Sequence, residues 1–191
     1  MGAYGLSDRK AGHSVIAPTK YGPVGTHAHA YSHWVAETLV PWVDARYRTQ
    51  ADANGRTVLG WSLGGLNAFD LGWNYPEVFG HVGAFSPSFW LSADPTNDET
   101  TERTRLAQNL VLSNPKHAPL HAYFAAGTAE EDSDRDHDGK IDVIDDAEDL
   151  AAALRKQGGD VTVVHQQDGI HRQPTWAAML PAFLRWAYEK R

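Results

Sequence analysis

Cysteine is absent from the 191 residues, which excludes disulfides, thiolate catalysis and cysteine-based zinc sites. Long apolar runs are missing too. None approaches the roughly 20 residues needed to span a bilayer, and the N-terminus lacks the charged-then-apolar layout of a signal peptide. The expectation is a soluble chain with no membrane contact and no assigned compartment. Basic residues are scarce, 17 against 24 acidic, for a formal net charge of −7. Much of the acidic excess lies between Glu130 and Asp149. A nucleic-acid binder needs a clustered Lys/Arg face, so nucleic acid is not an expected partner.

What is present is alternation. Short β-rich runs at Thr57 to Trp61, His81 to Phe85, Leu120 to Ala126 and Val161 to Gln166 are separated by helical patterns at His29 to Tyr47, Gly64 to Tyr75, Asp145 to Gln157 and Thr175 to Tyr188. In the third helix Ala147, Leu150, Ala151 and Leu154 fall on one face, and Gly158-Gly159 stops it. Strands alternating with helices predict an α/β fold with a mainly parallel sheet and helices on both faces. The length suits a single domain over 1–191. The polar stretch Ser92 to Pro119 carries one expected helix, Glu102 to Leu112.

Gly60-Trp61-Ser62-Leu63-Gly64-Gly65 follows an apolar strand and opens a helical pattern. A serine on such a strand-to-helix turn is held in a strained conformation that presents its hydroxyl. At a helix N-terminus, unpaired N–H groups favour developing negative charge, which makes Leu63 N–H the candidate oxyanion donor. The plainer alternative is a serine that only caps the helix.

A serine hydroxyl needs a base in reach and an acid to orient that base, and on this fold the chain order is serine, acid, histidine. His171 lies in the turn Asp168-Gly169-Ile170-His171, after the last strand and before the last helix. The acid belongs after the strand Leu120 to Ala126, where Gly127-Thr128-Ala129-Glu130-Glu131-Asp132 follows. Glu130 is the candidate, with Glu131 and Asp132 as alternatives.

Together with Tyr47-Arg48-Thr49, Tyr75-Pro76-Glu77-Val78-Phe79-Gly80 and Ser86-Pro87-Ser88-Phe89-Trp90, these motifs resemble the esterase family of α/β-hydrolases that includes enterobactin, feruloyl and acetylxylan esterases and S-formylglutathione hydrolases. The run ending in Phe89-Trp90 most resembles the enterobactin-esterase-like branch. The resemblance implies carboxylic ester hydrolysis through an acyl-enzyme, with a small-molecule ester of small or aromatic acyl type as substrate and no cofactor for catalysis. Two other readings stand beside it: acyl transfer by the same triad, and a degenerate calcium-binding scaffold without turnover. Relative to the family, the sheet is expected to be N-terminally shortened by about 80 to 100 residues for a domain of usual size, which removes the usual source of a second oxyanion donor. Such a sheet exposes an apolar edge, so a homo-oligomer or a shielding N-terminal segment is expected.

Asp134, Asp136 and Asp138 occupy positions one, three and five of a loop with Gly139 at six, Lys140 at seven, Ile141 at eight, Asp142 at nine and Asp145 at twelve. This matches an EF-hand-type calcium loop over 134–145, with Lys140 contributing its backbone carbonyl. Five carboxylates in twelve residues repel one another unless a cation gathers them. A structural Ca2+ ordering the acid turn is the expectation, and it favours an extracytoplasmic setting. The alternative is a solvated acidic turn.

Weaker signals remain. His27, His29 and His33 are metal-ligand types without a clear fourth partner, and read as a polar helix entrance. Trp61 and Trp90 are candidates for an acyl or aromatic pocket. Trp176 is divided between pocket and core.

Overall fold

The computed structural model describes residues 2–115 and 117–189. The chain opens with an antiparallel hairpin of β1 (Leu6–Asp8) and β2 (His13–Val15). Next, α1 (Ala28–Trp34) runs through a π-helical turn, Val35–Leu39, into α2 (Val40–Asp44). The expected helix over this stretch is thus present but widened. Pro41 has no N–H for the Glu37 carbonyl and its ring crowds that position, which is where an α-helix relaxes into a wider turn.

From there the expected alternation holds. β3 (Thr57–Trp61), α3 (Leu63–Asn74) and β4 (His81–Phe85) are followed by α4 (Asp98–Arg103), α5 (Leu106–Ser113) and β5 (His121–Gly127). The chain ends in α6 (Asp142–Lys156), β6 (Asp160–Gln166) and α7 (Gln173–Tyr188). The sheet is parallel throughout in the order β3-β4-β5-β6, and among the described residues β3 has no neighbour on its outer side.

Period-two alternation divides the core. Val82, Ala84, Ala122 and Phe124 pack with Leu66 and Phe69 of α3, Val111 of α5 and Leu150 of α6. Phe85, Tyr123 and Ala125 face the other way, onto Met179 and Phe183 of α7. Helices therefore cover both faces, the arrangement a buried parallel sheet requires. Among the described residues, no helix is long and apolar enough to cross a membrane.

Two stretches depart from the sequence reading. The single helix expected over Glu102 to Leu112 is two helices broken at Thr104-Arg105. Arg105 is buried there, donating to Asp146 at 2.6 Å and Asp149 at 2.7 Å on α6. The freed backbone is satisfied by the passing segment, Leu106 N–H to Leu91 O at 2.8 Å and Ala93 N–H to Thr104 O at 3.0 Å. The N-terminal hairpin was not foreseen. It is fixed by Asp70 of α3, a fully buried carboxylate that accepts the Ser7 N–H at 2.6 Å, the Ser32 hydroxyl at 2.6 Å and the Asn74 amide at 2.9 Å. Burial pushes Asp70 up to about 7, against the opposing pull of those donors.

Candidate active site

The carboxyl ends of neighbouring strands converge. Ser62 is the first residue past β3, Ser86 the first past β4, Glu130 lies three residues beyond β5 and His171 five beyond β6. Loops at this edge of a parallel sheet are held by a rigid scaffold yet remain open to solvent.

Ser62 has φ 55° and ψ −128°, a conformation that side-chain-bearing residues avoid. The turn closes because the N–H of Ser62 donates to Phe85 O at 2.9 Å and Gly60 passes directly under Gly64. A Cβ on Gly60 would stand 2.0 Å from the Gly64 carbonyl oxygen, so only glycine fits. The Ser62 side chain makes no helix-capping hydrogen bond, which removes the plainer capping alternative. Its hydroxyl oxygen instead lies 3.2 Å from His171 Nε2. Leu63 is the first residue of α3, where a helix N–H has no partner within the helix.

His171 Nδ1 lies 2.8 Å from Glu130 Oε2. A carboxylate only accepts, so Nδ1 carries the proton and Nε2 is left as the acceptor facing Ser62. The Glu130 side chain is 1% exposed and that of His171 43%, so the acid is enclosed while the base stays accessible. The hydrogen bond to Glu130 holds the imidazole above its ordinary range, against partial desolvation. Glu130 Oε1 takes two further donors, Gly127 N–H at 2.6 Å and the Ser86 hydroxyl at 2.5 Å. The acid and histidine turns are clipped to each other by Ala129 N–H to Gly169 O at 2.9 Å and Thr128 N–H to Gln166 O at 3.0 Å. The set has the geometry to pass a proton from the Ser62 hydroxyl to Nε2.

Of the three acids considered, Glu130 is the one that meets His171. Glu131 instead accepts the Val143 N–H at 2.8 Å near the start of α6. Ser62, Leu63, Glu130 and His171 share a cavity of about 470 Å³ with Thr19, Tyr21 and Trp90. Trp90, a pocket candidate from the sequence, lines this cavity. Trp61 does not: its ring stacks on Trp176 at 5.5 Å in a separate apolar groove with Leu59 and Leu180. Strand alternation turns Trp61 towards α7 while the next residue turns to the cavity. Sequence reasoning missed the partners of Glu130. Ser86 was noted only as part of a motif, yet it repeats the placement of Ser62, a serine directly after a parallel strand.

In the acidic loop, carboxylate oxygens of Asp134, Asp136 and Asp138 lie within 4.8 Å of one another. The Gly139 N–H donates to Asp134 at 3.0 Å and the Lys140 N–H to Asp138 at 2.8 Å. Asp142, by contrast, faces Arg135, accepting its N–H at 2.8 Å and its guanidinium at 3.0 Å. Asp145 stays near the cluster, and burial together with Asp149, Asp136 and Asp138 pushes it up to about 6. The Lys140 ammonium reaches Glu148 at 2.9 Å. His29 and His33 stack at 6.0 Å, and among the described residues they belong to no group able to hold a metal.

With that sheet, that elbow and that chain order, the molecule falls in the α/β-hydrolase class. Residues 8–187 match the family model described as Putative esterase, and the chain belongs to that esterase family. It is 27% identical over 165 residues to the uncharacterized protein YjcH of Bacillus subtilis, which covers 86% of this chain and 62% of that protein. Over 95 residues it is 35% identical to esterase Rv1288 of Mycobacterium tuberculosis, covering 43% of this chain and 20% of that one. The fold is similar to that of the enterobactin esterase of Shigella flexneri, at a TM-score of 0.67 and 21% identity over 85% of this chain and 38% of the other. It is also similar to a ferulic acid esterase of Anaeromyces mucronatus, at a TM-score of 0.56 and 12% identity over 81% and 52%. The chain therefore spans less than two thirds of the length of each of these proteins.

Proposed function

We propose that the chain is a serine carboxylic ester hydrolase working through an acyl-enzyme. The observation that carries this reading is the pair of contacts on one imidazole, 2.8 Å to Glu130 and 3.2 Å to Ser62. Ser62 Oγ attacks the ester carbonyl while His171 Nε2 takes its proton. The tetrahedral oxyanion rests on the Leu63 N–H, and the carbonyl re-forms as the alcohol leaves with the proton returned by His171. Water, deprotonated by the same imidazole, then releases the acid and restores Ser62. Glu130 keeps the imidazole in the tautomer this needs and stabilises its cation.

Small or aromatic acyl esters suit the site, since the cavity of about 470 Å³ is walled by Trp90 and Tyr21. A series of p-nitrophenyl esters graded in acyl length and aromatic character, with Ser62→Ala as control, tests both points. Equal slow rates for the two proteins overturn the reading.

We further propose that residues 134–145 bind a structural Ca2+. Three converged carboxylates and a fourth nearby at Asp145 support it, together with a hard-oxygen donor set of the calcium type. Asp142 is engaged by Arg135 and would join through a water or not at all. The ion serves the acid turn and takes no part in the chemistry.

A further inference from the structure

Ser86 and Trp176 form a line of donors that ends on the triad acid. Ser86 is 1% exposed, and its φ of 44° is left-handed, a conformation that a residue with a side chain adopts at a cost of about 1 kcal/mol or more. Its backbone is pinned there by its own N–H, which donates to Ala125 O at 2.6 Å and carries the β4–β5 pairing one residue past the strand. The consequence is local. The hydroxyl is aimed sideways, along the edge of the sheet, at Glu130 Oε1, 2.5 Å away.

The direction of that hydroxyl is fixed from behind. Trp176, in the first turn of α7, places its indole Nε1 2.7 Å from Ser86 Oγ. An indole N–H can only donate, so it occupies a lone pair on Ser86 and leaves the Ser86 proton for the carboxylate. Chained donors of this kind polarise one another. The indole also meets the His171 ring edge-to-face at 5.2 Å, which places one side chain against both the base and the acid's anchor.

Glutamate explains the need. It has one more rotatable bond than aspartate, so the same carboxylate must be immobilised against more rotamer freedom. With Gly127 N–H and Ser86 both on Oε1, the carboxylate cannot turn and Oε2 is presented to His171 Nδ1. We propose that Ser86 and Trp176 are positioning residues for the triad, holding Glu130 so that His171 faces Ser62. This rests on the serine-hydrolase reading above and adds two residues whose line of hydrogen bonds runs to the acid and not to the Ser62 hydroxyl.

Three variants test it. Ser86→Gly removes the hydroxyl while easing the left-handed backbone, and Trp176→Phe keeps the ring but loses the N–H. The double variant joins them. Each single variant is expected to lower kcat by about ten- to a hundredfold, with KM within about twofold, because a small misplacement of a reacting group is that consequential. The acid limb of the kcat profile moves to lower pH as the Glu130 contact that raises His171 loosens, and the downfield Nδ1 proton resonance of His171 broadens or shifts. The double variant is no worse than Ser86→Gly, since both changes break the same line. Wild-type kcat, pH limb and Nδ1 resonance in both single variants overturn the positioning role, as does a loss that merely tracks the folded fraction in a thermal melt. Ser62→Ala separates the two levels: full activity in that variant overturns the serine reading itself, whereas its inactivity beside two unaffected positioning variants overturns only the role given to Ser86 and Trp176.

Discussion

Ser62 and His171 are 109 positions apart in the chain and 3.2 Å apart in space. What closes that distance is backbone. The turn bearing His171 is tied to the acid turn, and Ser62 is tied to the end of β4, so both side chains are delivered by a sheet edge and not by mutual attraction.

The first prediction concerns pH. His171 must be neutral to act as base, and Glu130 raises its pKa. Wild-type kcat should therefore climb as pH rises through that elevated value. Glu130→Gln removes the main cause of the elevation, so its acid limb should lie at lower pH, with kcat reduced by about a hundredfold or more. A pH–rate profile of both proteins on one p-nitrophenyl ester is the check.

Close approach of backbone gives the second. A Cβ on Gly127 would stand 2.2 Å from the Gly169 carbonyl oxygen, where two turns cross. Gly127→Ala should push the histidine turn away, destabilise the fold by about 1–3 kcal/mol and abolish most activity. Urea denaturation alongside the ester assay measures both. Wild-type stability with wild-type kcat would count against the clip between the turns.

Asp70 supplies the third. Its carboxyl is raised from 3.8 to about 7 by burial, so its contribution to stability is fully present below about pH 4. It is lost as pH rises through the folded value near 7. Over that window the unfolded chain ionises while the folded one keeps its proton, changing the unfolding constant by up to about tenfold per pH unit. Asp70→Asn should flatten that slope. Unfolding curves at pH 4, 5.5 and 7 for both proteins decide the matter, and parallel slopes would remove Asp70 as the cause.

The acidic loop supplies the fourth. Added Ca2+ should raise the thermal midpoint, by the equivalent of about 2.7 kcal/mol at a hundred times Kd, and a chelator should reverse it. Asp134→Asn with Asp136→Asn should lose the response. Identical melts with calcium and with chelator would exclude the ion.

Much of this site was legible in the sequence because its signals are local. Gly60 to Gly65 encode the elbow, and the residues just after β5 and β6 are the ones that can hold an acid and a base. The sequence leaves Glu131 and Asp132 open beside Glu130, and the structure separates Glu131 from the Glu130–His171 pair: it faces the start of α6. Other features were not readable because their causes are distant. The break at Thr104-Arg105 answers to Asp146, 41 residues on. Ser86 looks like any serine in a turn until its partners, 44 and 90 positions away, are in place. Trp61 was misplaced because adjacency in sequence to Ser62 becomes opposition across a strand.

Thr19 and Tyr21 form one wall of the cavity, and they come from the segment between the hairpin and α1, whereas Ser62, Glu130 and His171 are carried by the sheet edge. One wall of the cavity is thus encoded on a stretch of chain separate from the proposed proton path, while the wall at Trp90 follows β4 on the sheet edge itself. On the ester-hydrolase reading, the loop spanning residues 16–27 can drift in sequence, or be exchanged outright, to alter which ester is accepted without disturbing the proton path, provided Ser7 and Ser32, which flank it and hold Asp70, are kept.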